Sequence, residues 1–129
     1  MESDQDTFQE HSESPYHWGL PLDHDRYMTF SKRNPTCGDE ITWYLRILNN
    51  QIHSAYFQAK GCLLCRTAAS VLCQNIEGQS VASVQQLDSQ AALKGIGINV
   101  TPGRIQCVLI SLTAVHGCLS SIESSQHDT

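Results

Sequence analysis

Between residues 41 and 48, large apolar side chains alternate with polar ones, so that Ile41, Trp43, Leu45 and Ile47 share one face at period two. Asn49-Asn50 is a turn signal, and residues 51–59 resume the extended pattern, with Ile52, Ser54, Tyr56 and Gln58 alternating with His53, Ala55 and Phe57. The pair predicts an antiparallel hairpin. After Gly61 the period changes: Leu64, Ala68, Leu72 and Ile76 fall on one helix face, and Gly78 is placed to end that helix. Ser80 begins a short helix through Val81 and Val84, and Asp88 caps another before Gly95 and Gly97 break the pattern. Thr101-Pro102 starts a last helix running to about residue 116, because proline at the first helical position lacks only an N–H that would have no helical partner. Its expected buried stripe is Ile105, Val108, Leu109, Leu112 and Val115. Cys107 lies on a separate small-residue line with Ser111, Ala114 and Cys118, which need not be core. Strands followed by helices predict an α+β fold, a small antiparallel β-sheet packed on one face by several α-helices.

The flanks read differently. Residues 1–15 hold five acids and no Lys or Arg, which predicts a disordered acidic N-terminal tail. Residues 120–129 read as a flexible C-terminal tail, leaving a single domain over 16–119. Within it Trp18, Leu20 and Leu22 are candidates to pack on the domain, and Asp23-His24-Asp25 to cap a short helix.

A chain of 129 residues can bury one core without disulfide staples. Its start lacks the basic residues and apolar stretch of a signal peptide, so the six cysteines read as thiols of a reducing cytoplasm. No apolar run is long enough to span a bilayer. The net charge of −5 conceals an asymmetry, since residues 31–119 carry seven bases and four acids. Those bases are scattered and lack interleaved aromatics, which argues against nucleic acid as a partner.

Asn34-Pro35-Thr36-Cys37-Gly38-Asp39 sets a thiol and a carboxylate two residues apart in a turn. Cys62 follows Gly61 at a helix start, where the positive end of the macrodipole favours thiolates, and Cys107 sits in the last helix. Three thiols and one carboxylate can fill a four-coordinate site. Gly38 and Gly61 keep bulk away from it.

These three cysteine segments, in this order over roughly residues 31–119, resemble the iron–sulfur cluster scaffold family of IscU, SufU and the N-terminal domain of NifU. The resemblance implies that Cys37, Asp39, Cys62 and Cys107 ligate a transient [2Fe-2S] cluster. Iron and persulfide sulfur from a cysteine desulfurase would build it, and apo iron–sulfur proteins would receive it. Asp39 would make the cluster labile, a carboxylate being a harder and weaker partner than thiolate. The implied protein is a cytoplasmic assembly scaffold rather than an enzyme, monomeric or weakly dimeric. Within the family the alternative is a zinc-bound sulfur acceptor, a sulfurtransferase with Cys107 as acceptor.

The chain departs from the family pattern at three places. Gln106 stands where scaffolds have histidine before the last cysteine and sulfur-transfer members have lysine. Val100-Thr101-Pro102-Gly103-Arg104 replaces a Leu-Pro-Pro-Val-Lys chaperone segment, so no Hsp70 partner is expected. Cys65 makes a Cys-x-x-Cys with Cys62 and is an auxiliary thiol that could serve as an alternative ligand or as a resolving thiol for a persulfide on Cys62, or it is simply a small buried residue. The 45-residue gap from Cys62 to Cys107 resembles the compact scaffold members.

Three rival readings remain. A thioredoxin-like motif fits Cys62-Leu63-Leu64-Cys65, but a hairpin precedes it where a βαβ unit belongs. A structural zinc module fits the same four ligands, although a zinc ribbon needs a second Cys-x-x-Cys pair. A cysteine nucleophile would draw on His53 or His116 without an orienting Asn or Asp. Cys73 and Cys118 read as packing residues, and His11, His17, His24 and His127 as solvated.

Overall fold

The computed structural model describes residues 4–34, 38–97 and 99–127. Among them the order is α1 (Asp4–Glu13), β1 (Met28–Arg33), β2 (Glu40–Leu48), β3 (Gln51–Lys60), α2 (Leu63–Ile76), α3 (Val81–Gln85), α4 (Ser89–Gly95) and α5 (Ile105–His127). The strands form one antiparallel sheet in the order β1-β2-β3. Helices α2 and α5 cover one face, giving the expected α+β arrangement. No helix of the described residues is long and apolar enough to cross a membrane.

The hairpin forms as its pattern requires. Asn49 and Asn50 both adopt positive φ, 53° and 62°, as the tightest hairpin turns demand. Ile41, Trp43 and Leu45 of β2 are fully buried, and the Trp43 indole N–H donates to the Ser111 carbonyl of α5 at 3.0 Å. On β3 a simple alternation fails. Ile47 pairs with Ile52 but Arg46 pairs with Ser54, so His53 is an extra, bulged residue. The bulge moves Ile52 onto the face of Ala55 and Phe57, away from the Ser54 and Tyr56 with which simple parity groups it.

The helix caps follow the sequence closely. Ser80 accepts from the Ser83 N–H at 3.1 Å, and Asp88 Oδ1 from the Ala91 N–H at 2.9 Å. Thr101 behaves otherwise: it makes no side-chain cap, and a 3₁₀ turn over Pro102–Arg104 precedes α5. Helix α5 lies between the sheet, α2 and α4, so the small-residue line is buried throughout, while Ile105 and Leu109 of the expected stripe are only half-buried. Cys107, Ser111, Ala114 and Cys118 are all core. The helix also runs on to His127, through most of the expected flexible tail.

The N-terminal region departs most from expectation. Asp4–Glu13 is helical and docks on α2, where a disordered tail was expected. Among its described side chains the buried one is His11, which hydrogen-bonds Ser70 at 2.6 Å, and the Ser12 carbonyl accepts from Arg66 at 3.1 Å. Part of the reason is polar: α2 turns the buried Ser70 hydroxyl and one Arg66 Nη toward this side, and α1 engages both while its acids Glu10 and Glu13 stay exposed; the rest is apolar, because Phe8 packs against the cluster of Ala68, Ile96 and Val108. The chain then runs along the edge of β3. Phe57 donates to the His17 carbonyl at 3.2 Å and accepts from the Gly19 N–H at 2.8 Å, which covers a strand edge. Here Glu77, just past α2, gathers the Tyr16 hydroxyl, the His17 ring at 3.0 Å and the Ala55 N–H at 3.0 Å. His11 and His17 are thus structural rather than solvated. The expected short helix after Asp23 is a 3₁₀ turn over His24–Arg26, with no side-chain cap from Asp23.

Two outcomes test this frame. The Tyr16 phenol is pushed up to about 12 from its ordinary 10.0, first by its hydrogen bond to Glu77 and then by burial. A raised folded-state value means that its stabilisation is full below the unfolded value and is lost as pH rises through the folded one. Tyr16→Phe should therefore lower stability by roughly 1–2 kcal/mol near neutral pH, and flatten the loss of stability at alkaline pH. Chemical denaturation across pH reads this, and identical alkaline slopes would contradict it. Second, a Cβ on Gly61, whose φ is +135°, would lie 2.0 Å from Asp39 Oδ1. Gly61→Ala should cost on the order of 1–3 kcal/mol, and adding Asp39→Ala should recover part of that loss in melting temperature. No recovery would mean that the carboxylate is not what the methyl meets.

Candidate metal and sulfur site

The open end of the hairpin builds the site. Glu40 pairs with Lys60, so the residues just beyond them, Asp39 and Gly61, meet across the end of the ladder. Asp39 Oδ1 accepts from the Cys62 N–H at 3.2 Å, and the Cys62 thiol lies 3.8 Å from Asp39 Oδ2. This approach is open only because residue 61 has no side chain. Gly38 has a different role from the one expected: a Cβ there would meet nothing, and its φ of +79° is what calls for glycine.

Cys62 is the N-cap of α2, and its sulfur accepts from the Cys65 N–H at 3.4 Å. Cys107 arrives from the first turn of α5. The ligand atoms of Asp39, Cys62 and Cys107 all lie within 4.8 Å of one another. Cys37 lies outside the described residues. Of the residues flanking it, the Asn34 N–H donates to the Asp39 carbonyl at 2.7 Å and the Gly38 N–H to the Asn34 carbonyl at 2.8 Å.

An open pocket of about 600 Å³ sits over these groups, and Asn34, Arg104 and Gln106 also line it. Asp39 is buried, Cys62 half-buried and Cys107 buried at 7% exposure, so the donors form the floor and solvent the mouth. Burial pushes the Cys107 thiol up to about 12, against the lowering effect of Arg104 and with further raising by Asp39 and Cys62. Arg104 in turn is raised by hydrogen bonds to Cys62 and Cys107. A cation bound here would displace the Cys107 proton, as thiolate ligation requires. Two soft sulfurs and one hard oxygen suit zinc or an iron–sulfur unit and suit magnesium or calcium poorly.

The other candidate residues lie elsewhere. Cys65, Cys73 and Cys118 belong to the core, where Cys73 donates to the Ala55 carbonyl at 3.2 Å and burial raises the Cys118 thiol to about 12. His53 is exposed at the bulge, and the His116 ring is engaged by the Val84 carbonyl at 3.0 Å, so neither serves a cysteine nucleophile. Arg104 is the site residue that pattern reading passed over. The available signal was its position three residues before Cys107, one turn away at the start of α5.

The model of the NifU-like N-terminal domain matches residues 3–128. Over 78 residues the chain is 31% identical to the iron-sulfur cluster assembly scaffold protein IscU of Thermotoga maritima, an alignment covering 60% of this chain and 55% of that protein. The chain thus spans about half the length of this relative. It is 26% identical over 99 residues to the zinc-dependent sulfurtransferase SufU of Bacillus subtilis, with 64% and 67% of the two chains covered. Among solved structures, the N-terminal part of a NifU-like protein from Brucella abortus superposes with a TM-score of 0.72 at 18% identity, covering 92% of each chain, and shares the fold. The match over nearly its whole length makes this chain a member of the NifU-like N-terminal domain family.

Proposed function

We propose that this protein is a scaffold on which a labile iron–sulfur cluster is assembled and from which it is passed to apo-proteins. The observation that carries the reading is the convergence of Asp39, Cys62 and Cys107 within 4.8 Å at the floor of an open pocket. Cys37, two residues before Asp39 in the chain, is the proposed fourth ligand. The scaffold name carried by the Thermotoga relative supports the same reading.

The chemistry follows from the donors. A [2Fe-2S] cluster offers four terminal positions, and three thiolates with one carboxylate fill them. The carboxylate is the weak member, and it is held by the Cys62 N–H at 3.2 Å. Exchange begins most readily at the oxygen, while the sulfurs retain the cluster until an acceptor thiol competes. Arg104, exposed at the rim, offsets the negative charge of a cluster bearing three thiolates and a carboxylate. Gln106 lines the pocket but cannot exchange a proton as histidine does, so any proton movement here falls to thiols and solvent. The partners of this reading are a cysteine desulfurase as sulfur source and apo iron–sulfur proteins as recipients.

A second reading has its own support. The Bacillus relative named a zinc-dependent sulfurtransferase is aligned over 64% of this chain, and the same four donors suit tetrahedral zinc. In that case zinc would hold the thiols as thiolates, and Cys107 would accept sulfane sulfur.

Anaerobic incubation with Fe²⁺, cysteine and a desulfurase, followed by apo-ferredoxin, tests the first reading against the second. The wild type should develop visible cluster absorption and activate the ferredoxin, and Cys37→Ala should lose most of both. A protein that keeps zinc, accelerates the desulfurase and never colours would overturn the scaffold reading. Asp39→Ala should slow the loss of the cluster to a chelator by about tenfold or more, the scale on which metal-site ligands and their supports act. Faster loss would remove the carboxylate from its proposed role as the labile ligand.

A further inference from the structure

The site uses Cys62, yet a second thiol stands three residues on, at the start of the same helix. The Cys65 side chain is fully buried in the main core, and Cys62 packs against that same cluster. The Cys65 N–H donates to Cys62 Sγ at 3.4 Å, so the Cys62 sulfur lies back over the first turn of α2. Neighbours three apart on a helix hold their Cβ atoms about 5–6 Å from one another, against about 3.5–4.5 Å in a disulfide. Cys62 is the N-cap, with extended backbone at φ −75° and ψ 161°, so closing that gap requires no helical turn to unwind.

The sulfur chemistry of a scaffold has an unmet need at this point. A desulfurase delivers sulfane sulfur, whereas the bridging atoms of a cluster are sulfide. Two electrons must enter each sulfur atom at the site.

We propose that Cys65 is a resolving thiol that reduces a sulfane sulfur carried on Cys62 and releases it as hydrosulfide into the pocket. The inference rests on the reading of the site as a sulfur-receiving scaffold. Cys65 Sγ attacks Cys62 Sγ, a new S–S bond forms between them, and the bond from Cys62 Sγ to the terminal sulfur breaks. A Cys62 persulfide and the Cys65 thiol thus become one disulfide and one H₂S, which carries off both protons. The two cysteine sulfurs are oxidised to the disulfide, and the departing sulfur takes the electron pair. A dithiol reductant then restores both thiols for the next round. The burial of Cys65 keeps solutes from it, and its N–H already contacts the Cys62 sulfur. Cys107, whose sulfur lies within 4.8 Å of that of Cys62, can pass on sulfane sulfur by the same exchange.

The test uses the full chain, reduced, desalted and kept free of iron and oxygen. It is loaded with inorganic polysulfide, desalted again, alkylated, and weighed intact and as peptides. Wild type should carry a Cys62–Cys65 disulfide and no added sulfur on Cys62. Cys65→Ala should retain a sulfur atom on Cys62 and release sulfide at least about tenfold more slowly, as loss of an intramolecular attacking thiol requires. A wild-type persulfide on Cys62 that persists, or equal sulfide release from the variant, would overturn the proposal. The wild-type peptide map decides the matter even if Cys65→Ala folds poorly. Reconstitution from Fe²⁺ and inorganic sulfide, which needs no reduction of sulfane sulfur, separates the two levels. Wild type and Cys65→Ala should both form a cluster this way. Failure of both would remove the scaffold reading, while the disulfide map still rules on Cys65.

Discussion

Everything at the site depends on the register of one hairpin. Because Glu40 pairs with Lys60, the carboxylate of Asp39 and the backbone of Gly61-Cys62 are carried to the same place. The hydrogen bond from the Cys62 N–H to Asp39 Oδ1 then joins the end of β2 to the start of α2. A one-residue slip would send Asp39 to the other face of the sheet. The bulge at His53 and the positive-φ Asn49-Asn50 turn pin that register from the far end, and the buried Trp43, with its hydrogen bond to Ser111, pins it against α5. Since α5 also carries Cys107, the contact that holds the sheet to its helix layer sets the distance between two of the sulfurs.

The rest of the molecule protects this geometry while leaving its mouth open. α1 and the segment after it run behind α2 and along the edge of β3, where Glu77 collects a tyrosine, a histidine and a backbone N–H. Those contacts stiffen the side of the domain away from the pocket. At the pocket itself the donors are backed by core and faced by solvent, an arrangement that suits a cargo that must both enter and leave. A closed structural metal site would bury its ligands on every side.

Much of this was legible in the chain. The hairpin, the caps at Ser80 and Asp88 and the helix after Gly61 are local signals, and each appears where its pattern puts it. The cysteine segments were legible for another reason: few arrangements need Cys, a following Asp, Gly-Cys at a helix start and a later helical Cys in one order. What pattern could not give was tertiary. Strand β1 is nearly all exposed and has no alternation to read. α1 is held by polar contacts of His11 and Ser12 to α2 and by Phe8 on a small apolar cluster, which no composition reveals. The bulge at His53 reverses a parity that looks continuous in sequence, and the wide burial of α5 comes from packing on two sides, which a single apolar stripe does not announce. Arg104 escaped notice because a lone surface arginine acquires meaning only when two thiols are found beside it.

The central claim is that oxygen and sulfur donors from separate elements hold the same cluster. Iron K-edge absorption of the loaded wild-type protein tests it directly. The account predicts a mixed first shell, in which the cluster's terminal positions are shared by the thiolates of Cys37, Cys62 and Cys107 and the carboxylate of Asp39, with the oxygen contribution disappearing in Asp39→Ala. An all-sulfur shell in the wild type, unchanged by that substitution, would contradict it.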